Sequence, residues 1–514
     1  MSRVRLPEIP WAWAWGAIVL AFPWSNAFMS IATGWLGLVT LTQLQSRSIS
    51  ASKTASNIAL RRAGWALILL VLWSGLSVIW GGEAEACLHD VRVKLPLAIG
   101  GWAMVTMSRQ SRAVDLHQLK PVVKVAVLSA ALATVSLIVW DLSNGGPNGG
   151  RQSSQFISHI RFGLWWAFLL PWSGYLLGNR WMWGCLIGAV SAWTWTQGVT
   201  GLLVGIAMAP WWIPWLGTMP REGAAHGAVW PTAKALRRNF ALMAAVLIPI
   251  LILLTRALPT AMPQADQLPS HTDSGEPYVH KLNRSVTEHG HFVWTHLAWG
   301  ELRKAWEGRS DIPFGDIEGA LVRFLSSKGL PKDTEGVAAL SEEEVQAIGR
   351  RVTSTVELEG GAWQKRWNRF KFEWGQWLDG TLSPDASVLA RTVYLDVAFD
   401  AWRALPLLNK AIGAGSGRVG AEMEQGFIRS FPQWPPKGRK RPHNQYMTLA
   451  LALGAIGLGL LLWAMASMWA HAPCRPGVLL LALSCLTEDT LETQAGVTLA
   501  VVALVFGTLV KARE

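Results

Sequence analysis

Residues 11–41 form a nearly continuous apolar run of about 30 residues, interrupted midway by Pro23 and Asn26. About 20 such residues cross a bilayer core. Further runs cover 63–80, 94–108, 122–141, 162–178, 181–195, 197–217 and 235–255, and then 446–469, 477–487 and 496–510. In hydrocarbon every backbone polar group must be satisfied within the protein, so such runs dictate helices. The 11–41 run reads as two short spans or one broken one. The start has no basic region leading to a small-residue cleavage site, which favours anchoring spans over a removed signal peptide.

The net charge of +12 invites a nucleic-acid reading, but its distribution does not. Residues 257–444 hold 23 Lys and Arg against 23 Asp and Glu, leaving 23 basic and 11 acidic residues elsewhere. The excess therefore sits in short segments between apolar runs, as in cytoplasmic membrane loops. With Arg3 and Arg5 inside and 11–41 crossing twice, Arg47, Lys53, Arg61 and Arg62 fall inside. So do Arg109, Arg112, Lys120, Lys124, Arg180, Arg221, Lys234, Arg237 and Arg238. Glu83, Glu85, Asp90 and the glycine-rich 144–150 then face out. Nine crossings place 257–444 outside, and three more return Lys511 and Arg513 to the cytoplasm.

The expected organisation is a transmembrane bundle over 1–256, an outer loop domain over 257–444 and three closing spans over 445–514. The fold class is an all-α polytopic membrane protein with about twelve transmembrane helices. Most of the 32 Trp suit interfacial anchoring or packing. Trp11, Trp13 and Trp15 open a span and Trp211, Trp212 and Trp215 lie near the end of one, while Trp165, Trp166, Trp181 and Trp183 suit packing between helices or contact with a lipid-linked ligand. The 4 Cys form no CxxC, so a disulfide framework or thiolate zinc site is not expected. No phosphate-binding glycine loop is present, which argues against an ATP-driven transporter. The glycines of "AIGAGSGRVG" at 411–420 have the wrong spacing for one and read as a flexible surface turn.

The outer block is patterned as a mainly helical domain. Residues 298–308, 341–351 and 389–406 have helical periodicity, and Ser341 with Glu344 resembles a capping box. An irregular lead at 261–290 and a proline-rich exit at 431–442 flank it. Such a domain can form a lid or wall over an outward-facing cavity.

The exit is chemically dense. Lys437, Arg439, Lys440, Arg441 and His443 precede a long apolar helix on the side where cations are disfavoured. Arginine forks suit phosphate oxygens, and a histidine near neutrality can accept a hydroxyl proton. Residue type alone leaves His443 open between helix cap and base, and the basic run open between anionic lipid and pyrophosphate. Three other sets accompany it: Ser158, His159 and Arg161 before a span, Arg391 beside Tyr394, and Glu488, Asp489 and Glu492 near the C-terminus. The acidic set reads either as a solvated turn or as an ion-pair frame.

"RPHNQYMTLALALGAIGL" at 441–458 with "LTEDTLETQAGVTLA" at 486–500 resembles the O-antigen ligase and polymerase superfamily. "GEPYVHKLNRS", "ELRKAWEGRS" and "ALVRFLSSKGLPKD" look like the outer-loop signature of its large Bacteroidetes-type branch. "ISHIRFGLWW" matches its basic residue heading a middle span. The resemblance implies a C-type, inverting glycosyltransferase of the bacterial inner membrane with a periplasmic loop domain. It implies no cofactor and no catalytic metal. The donor would be a polyprenyl-pyrophosphate-linked glycan, and the acceptor a lipid A core sugar or related glycan, as in lipopolysaccharide and polysaccharide biosynthesis. His443 would be the essential loop histidine. Arg161, Arg391 and Arg441 would bind the donor pyrophosphate, with Asn444, Glu488, Glu492 and His159 supporting. Many relatives carry a basic residue where this chain has Thr493.

Polymerase, protein O-oligosaccharyltransferase and lipid-linked glycan transporter are the alternatives. A transporter would need neither the histidine motif nor a substantial outer domain.

Overall fold

The computed structural model describes residues 10–44, 55–109, 116–143, 157–215, 268–384 and 389–510, with isolated positions between 234 and 264 and at 386. Arg3, Arg5, Arg47, Lys53, Arg112, Arg221, Lys511, Arg513, the stretch 144–150 and most of the run 235–255 lie outside the described residues.

The chain is all-α, its one described ladder pairing Thr287–Glu288 with His291–Phe292. Among the described residues, three helices are long and apolar enough to cross a membrane: Asn57–Gly81, His117–Ser143 and Gln445–Trp469. Trp11–Ala21, Ala472–Thr487 and Gln494–Leu509 are shorter apolar helices. The 11–41 run forms two helices, Trp11–Ala21 and Asn26–Leu44, parted around Pro23. The 197–217 run is also broken, into Val199–Ala207, Ala209–Trp212 and the 3-10 turn Ile213–Trp215.

Two compact units divide the chain. One comprises Met1–Leu242 with Tyr394–Glu514, the other Met243–Val393. The composition block 257–444 is thus shared, its last fifty or so residues belonging to the apolar unit.

In the first unit small residues set the helix spacing. A Cβ on Gly64 would lie 2.5 Å from the Gly101 carbonyl oxygen, and one on Gly101 equally close to that of Gly64. The helices Ala55–Leu76 and Ala84–Met107 therefore meet backbone to backbone, the usual way of packing helices in lipid. Indoles fill much of the remaining interior. Trp15, Trp165, Trp166, Trp172 and Trp211 are fully buried, and Trp165 stacks on Phe22 at 4.4 Å. Trp13 and Trp183 stay exposed.

The glycine-rich 411–420 segment is not the flexible surface turn its composition suggests. Gly454 has φ +67°, which kinks the Gln445–Trp469 helix and withdraws three carbonyls from helical pairing. Ala414 N–H donates to Leu451 O at 2.8 Å and Gly415 N–H to Ala452 O at 3.0 Å, while Trp73 Nε1 donates to Leu453 O at 3.1 Å. A Cβ on Gly413 would lie 2.1 Å from Ala452 O, so the docking requires glycine there.

The second unit has a conventional globular core of Val286, Leu302, Trp306, Leu321, Phe324 and Ile348 with their neighbours. Its helices follow the pattern read from sequence, including Trp299–Glu307 and Glu342–Gly349. The Ser341–Glu344 capping box is formed in both directions. Residues 389–406 yield the helix Ala390–Ala404.

Candidate functional site

The site begins with a helix start. The Asn444 side chain accepts from Met447 N–H at 3.1 Å and caps the Gln445–Trp469 helix, while its amide donates to Leu486 O at 3.1 Å. Asparagine is among the strongest N-cap residues. His443 precedes the cap with φ +49°, a left-handed conformation uncommon outside glycine. Asp489 holds it there. Its carboxylate accepts from His443 N–H at 3.2 Å and from Thr448 Oγ1 at 2.5 Å. Burial raises the Asp489 carboxyl above its ordinary pKa, against the Thr448 hydrogen bond and the nearby Arg441 charge.

The imidazole, about a third exposed, lies beside the Tyr394 ring at 5.5 Å between centroids. Its Nδ1 is 3.9 Å from Glu488 Oε2, beyond hydrogen-bond range but within ion-pair reach. The same oxygen lies 3.5 Å from Arg161 NH1. Arg161 is the third residue of the His159–Leu177 helix and is buried, and its NH2 donates to Asp489 O at 3.4 Å. Glu488 thus stands between an imidazole and a guanidinium.

A second carboxylate organises the next group. Glu492 accepts from Lys94 Nζ at 2.9 Å, from Gln445 Nε2 at 3.1 Å and from Arg441 NH2 at 3.0 Å. Gln445 Oε1 accepts from Leu491 N–H at 2.6 Å and fixes the turn. Burial opposes ionisation of Glu492, but Lys94 and Arg441 outweigh it and hold the carboxyl well below the ordinary range. Lys94 also pairs with Asp90, which accepts from Ser74 Oγ at 2.7 Å.

Two cavities meet at Glu492. One, of about 730 Å³, is lined by Glu83, Glu85, His89, Asp90 and Arg441 among others. Its carboxylates outnumber its cations, which suits hydroxyl-rich ligands better than polyanions. The other, of about 670 Å³, sets Arg92 and His89 above Leu95, Pro96 and Ile99, beside Thr493. That combination suits an amphiphile with an anionic head.

The residues brought together are therefore Arg161, Arg441, His443, Asn444, Glu488 and Glu492. His159 is half-buried at the head of the Arg161 helix. Arg391 belongs to the other unit, partly buried in the first turn of Ala390–Ala404. Sequence reasoning leaves Lys94, Asp90, Gln445 and Arg92 out of the site and takes Asp489 only within the acidic set, as solvated turn or ion-pair frame, without its hold on His443. Lys94 had a usable signal, an ammonium at the edge of an apolar run with a carboxylate four residues earlier. Comparison with protein-family models and with curated proteins finds no match.

Proposed function

We propose that the chain is an inverting, O-antigen ligase-like glycosyltransferase. In this reading it moves a glycan from a polyprenyl-pyrophosphate donor to an acceptor hydroxyl at the periplasmic face of the bacterial inner membrane. About twelve spans would carry it, with the acceptor a lipid A core sugar or related glycan. The observation that carries the reading is Glu488 Oε2, placed 3.9 Å from His443 Nδ1 and 3.5 Å from Arg161 NH1.

Each group has a role in that reaction. The donor is already activated, so the barrier lies in losing pyrophosphate and in deprotonating the acceptor. Positive charge from Arg161 and Arg441 offsets the negative charge developing on the leaving group. His443 takes the proton as the hydroxyl attacks from the face opposite the departing pyrophosphate, giving inversion. Glu488 orients the imidazole and stabilises it once charged. The cavity bordered by Arg92 and apolar side chains is suited to the lipid phosphate, and the carboxylate-rich one to glycan hydroxyls.

Mass analysis of products tests the reading. Purified protein receives a polyprenyl-pyrophosphate-linked glycan with lipid A core, with a second lipid-linked glycan, or with a protein acceptor. A new glycosidic bond with the first identifies a ligase, with the second a polymerase, with the third a protein glycosyltransferase. No new bond with any acceptor refutes glycosyl transfer.

A further inference from the structure

We infer that the Met243–Val393 unit carries a binding site for a phosphate group borne on a sugar. The inference does not depend on the glycosyl-transfer reading. A compact cavity of about 170 Å³, the size of one oxyanion and part of a ring, is lined by Arg323, Arg351, Lys365 and Arg369, with Glu357 the one acid. Ser354, Thr353 and Asn368 complete the wall.

Two of the four cations are already matched. Arg323 donates from Nε and NH2 to Glu288 Oε2 at 3.0 and 2.9 Å and stacks on the Phe372 ring at 3.5 Å. Arg369 pairs with Glu357 at 3.0 Å, and Glu357 is further held by Thr353 Oγ1 at 2.6 Å. Among the described residues, no carboxylate is within ion-pair distance of Arg351 or Lys365. Two uncompensated positive charges facing one small cavity match a phosphate monoester, which carries close to two negative charges at neutral pH. A carboxylate would satisfy only one.

The backbone supports a built site. Arg351 has φ +65° as the residue that closes the Glu342–Gly349 helix, its N–H donating to Ile348 O at 2.8 Å and that of Val352 to Ala347 O at 3.0 Å, so its position is set by the helix end. Ser354 is buried, caps the next short helix through Glu357 N–H at 3.2 Å, and accepts from Asn368 Nδ2 at 3.3 Å. The walls are thus fixed by hydrogen bonds, with Arg351 in the turn that ends one helix and Lys365 in the first turn of the Ala362–Leu378 helix.

The test is a binding titration on the full-length protein in lipid nanodiscs, using glucose 6-phosphate, inorganic phosphate and glucuronate as probes. Glucose 6-phosphate is expected to bind at least tenfold tighter than glucuronate. The Arg351→Gln/Lys365→Gln variant is expected to lose at least tenfold in that affinity. Arg351→Gly, which suits the positive φ, keeps the backbone and removes the guanidinium, and is expected to show a partial loss with an unchanged proteolysis pattern. Inorganic phosphate binding as tightly as the sugar phosphate would overturn the sugar-borne assignment. Glucuronate binding equally well, or unaltered affinity in the double variant, would overturn the phosphate site.

Discussion

Lys94 Nζ lies 2.9 Å from Glu492 Oε1, although 398 positions separate the two residues in sequence. This pair ties the Ala84–Met107 helix to the turn that carries Glu488 and Asp489, and it is almost wholly buried. Because Arg441 occupies the other Glu492 oxygen, the lysine also sets where that guanidinium stands. Lys94→Met leaves Asp90 and Glu492 short of a buried cation, and removing one partner of a buried pair costs about 3–5 kcal/mol. Glu492→Gln is expected to cost a similar amount. Coupling between the two changes, measured by thermal unfolding of the single and double variants, is expected to exceed about 1 kcal/mol. Additive losses would show that the pair does not join the two segments.

The contact between Gly64 and Gly101 leaves no room for a side chain. Gly101→Leu is expected to destabilise the protein by roughly 1–3 kcal/mol or to prevent its insertion. Gly184→Ala is the matched control, since nothing lies within 4 Å of its added Cβ, and there a gain of roughly 0.5–1 kcal/mol is expected. Equal melting temperatures for both variants and wild type would contradict backbone-to-backbone packing of these helices.

Burial pushes the Lys332 ammonium down to about 8, against the pull of the Asp333 carboxylate. Its folded pKa is therefore below the ordinary lysine value of 10.5. Between those values the unfolded chain binds the proton and the folded chain does not, so stability rises with pH. From pH 8 to 10 the gain is expected to be about 2 kcal/mol. Above pH 10 the trend reverses, because burial and Asp333 raise the Tyr278 phenol and its contribution is lost on the alkaline side. Pulse proteolysis of the second unit within the full-length protein, from pH 8 to 10, reads this directly. Lys332→Met should flatten the profile, and an equal slope in the variant would exclude Lys332 as its source.

Much of this organisation could be read from the chain. Hydrophobic runs located the helices because a continuous apolar stretch is a length-coded signal, and Ser341 with Glu344 marked a helix start through local hydrogen bonds alone. The site was legible in part. His443, Asn444, Glu488 and Glu492 stand out as polar residues against apolar helices, and Arg161 as a cation heading one. Lys94 was not picked out, since its partner lies at the other end of the sequence and its own neighbourhood reads as the start of a span. The 411–420 glycines misled for a related reason. Their purpose is set by two carbonyls, those of Leu451 and Ala452, that a kink at Gly454 frees, and no local pattern encodes a partner some forty residues away. Arg351 and Lys365 carry no local pattern that sets them apart, and only the fold places them around one cavity.

His443 occupies a left-handed backbone position that asparagine also tolerates. His443→Asn therefore removes the proton acceptor while keeping the turn, where His443→Ala would also strain it. The most direct measurement follows polyprenyl pyrophosphate release and glycosidic bond formation together, in purified wild-type and His443→Asn proteins given the same lipid-linked donor and acceptor. The expected result is stoichiometric release and bond formation by wild type, with inverted anomeric configuration. The variant should insert normally and turn over at least a hundredfold more slowly, in keeping with the usual worth of a general base. Undiminished transfer by a well-inserted His443→Asn protein, or no bond formation by wild type, would contradict a glycosyltransferase centred on His443.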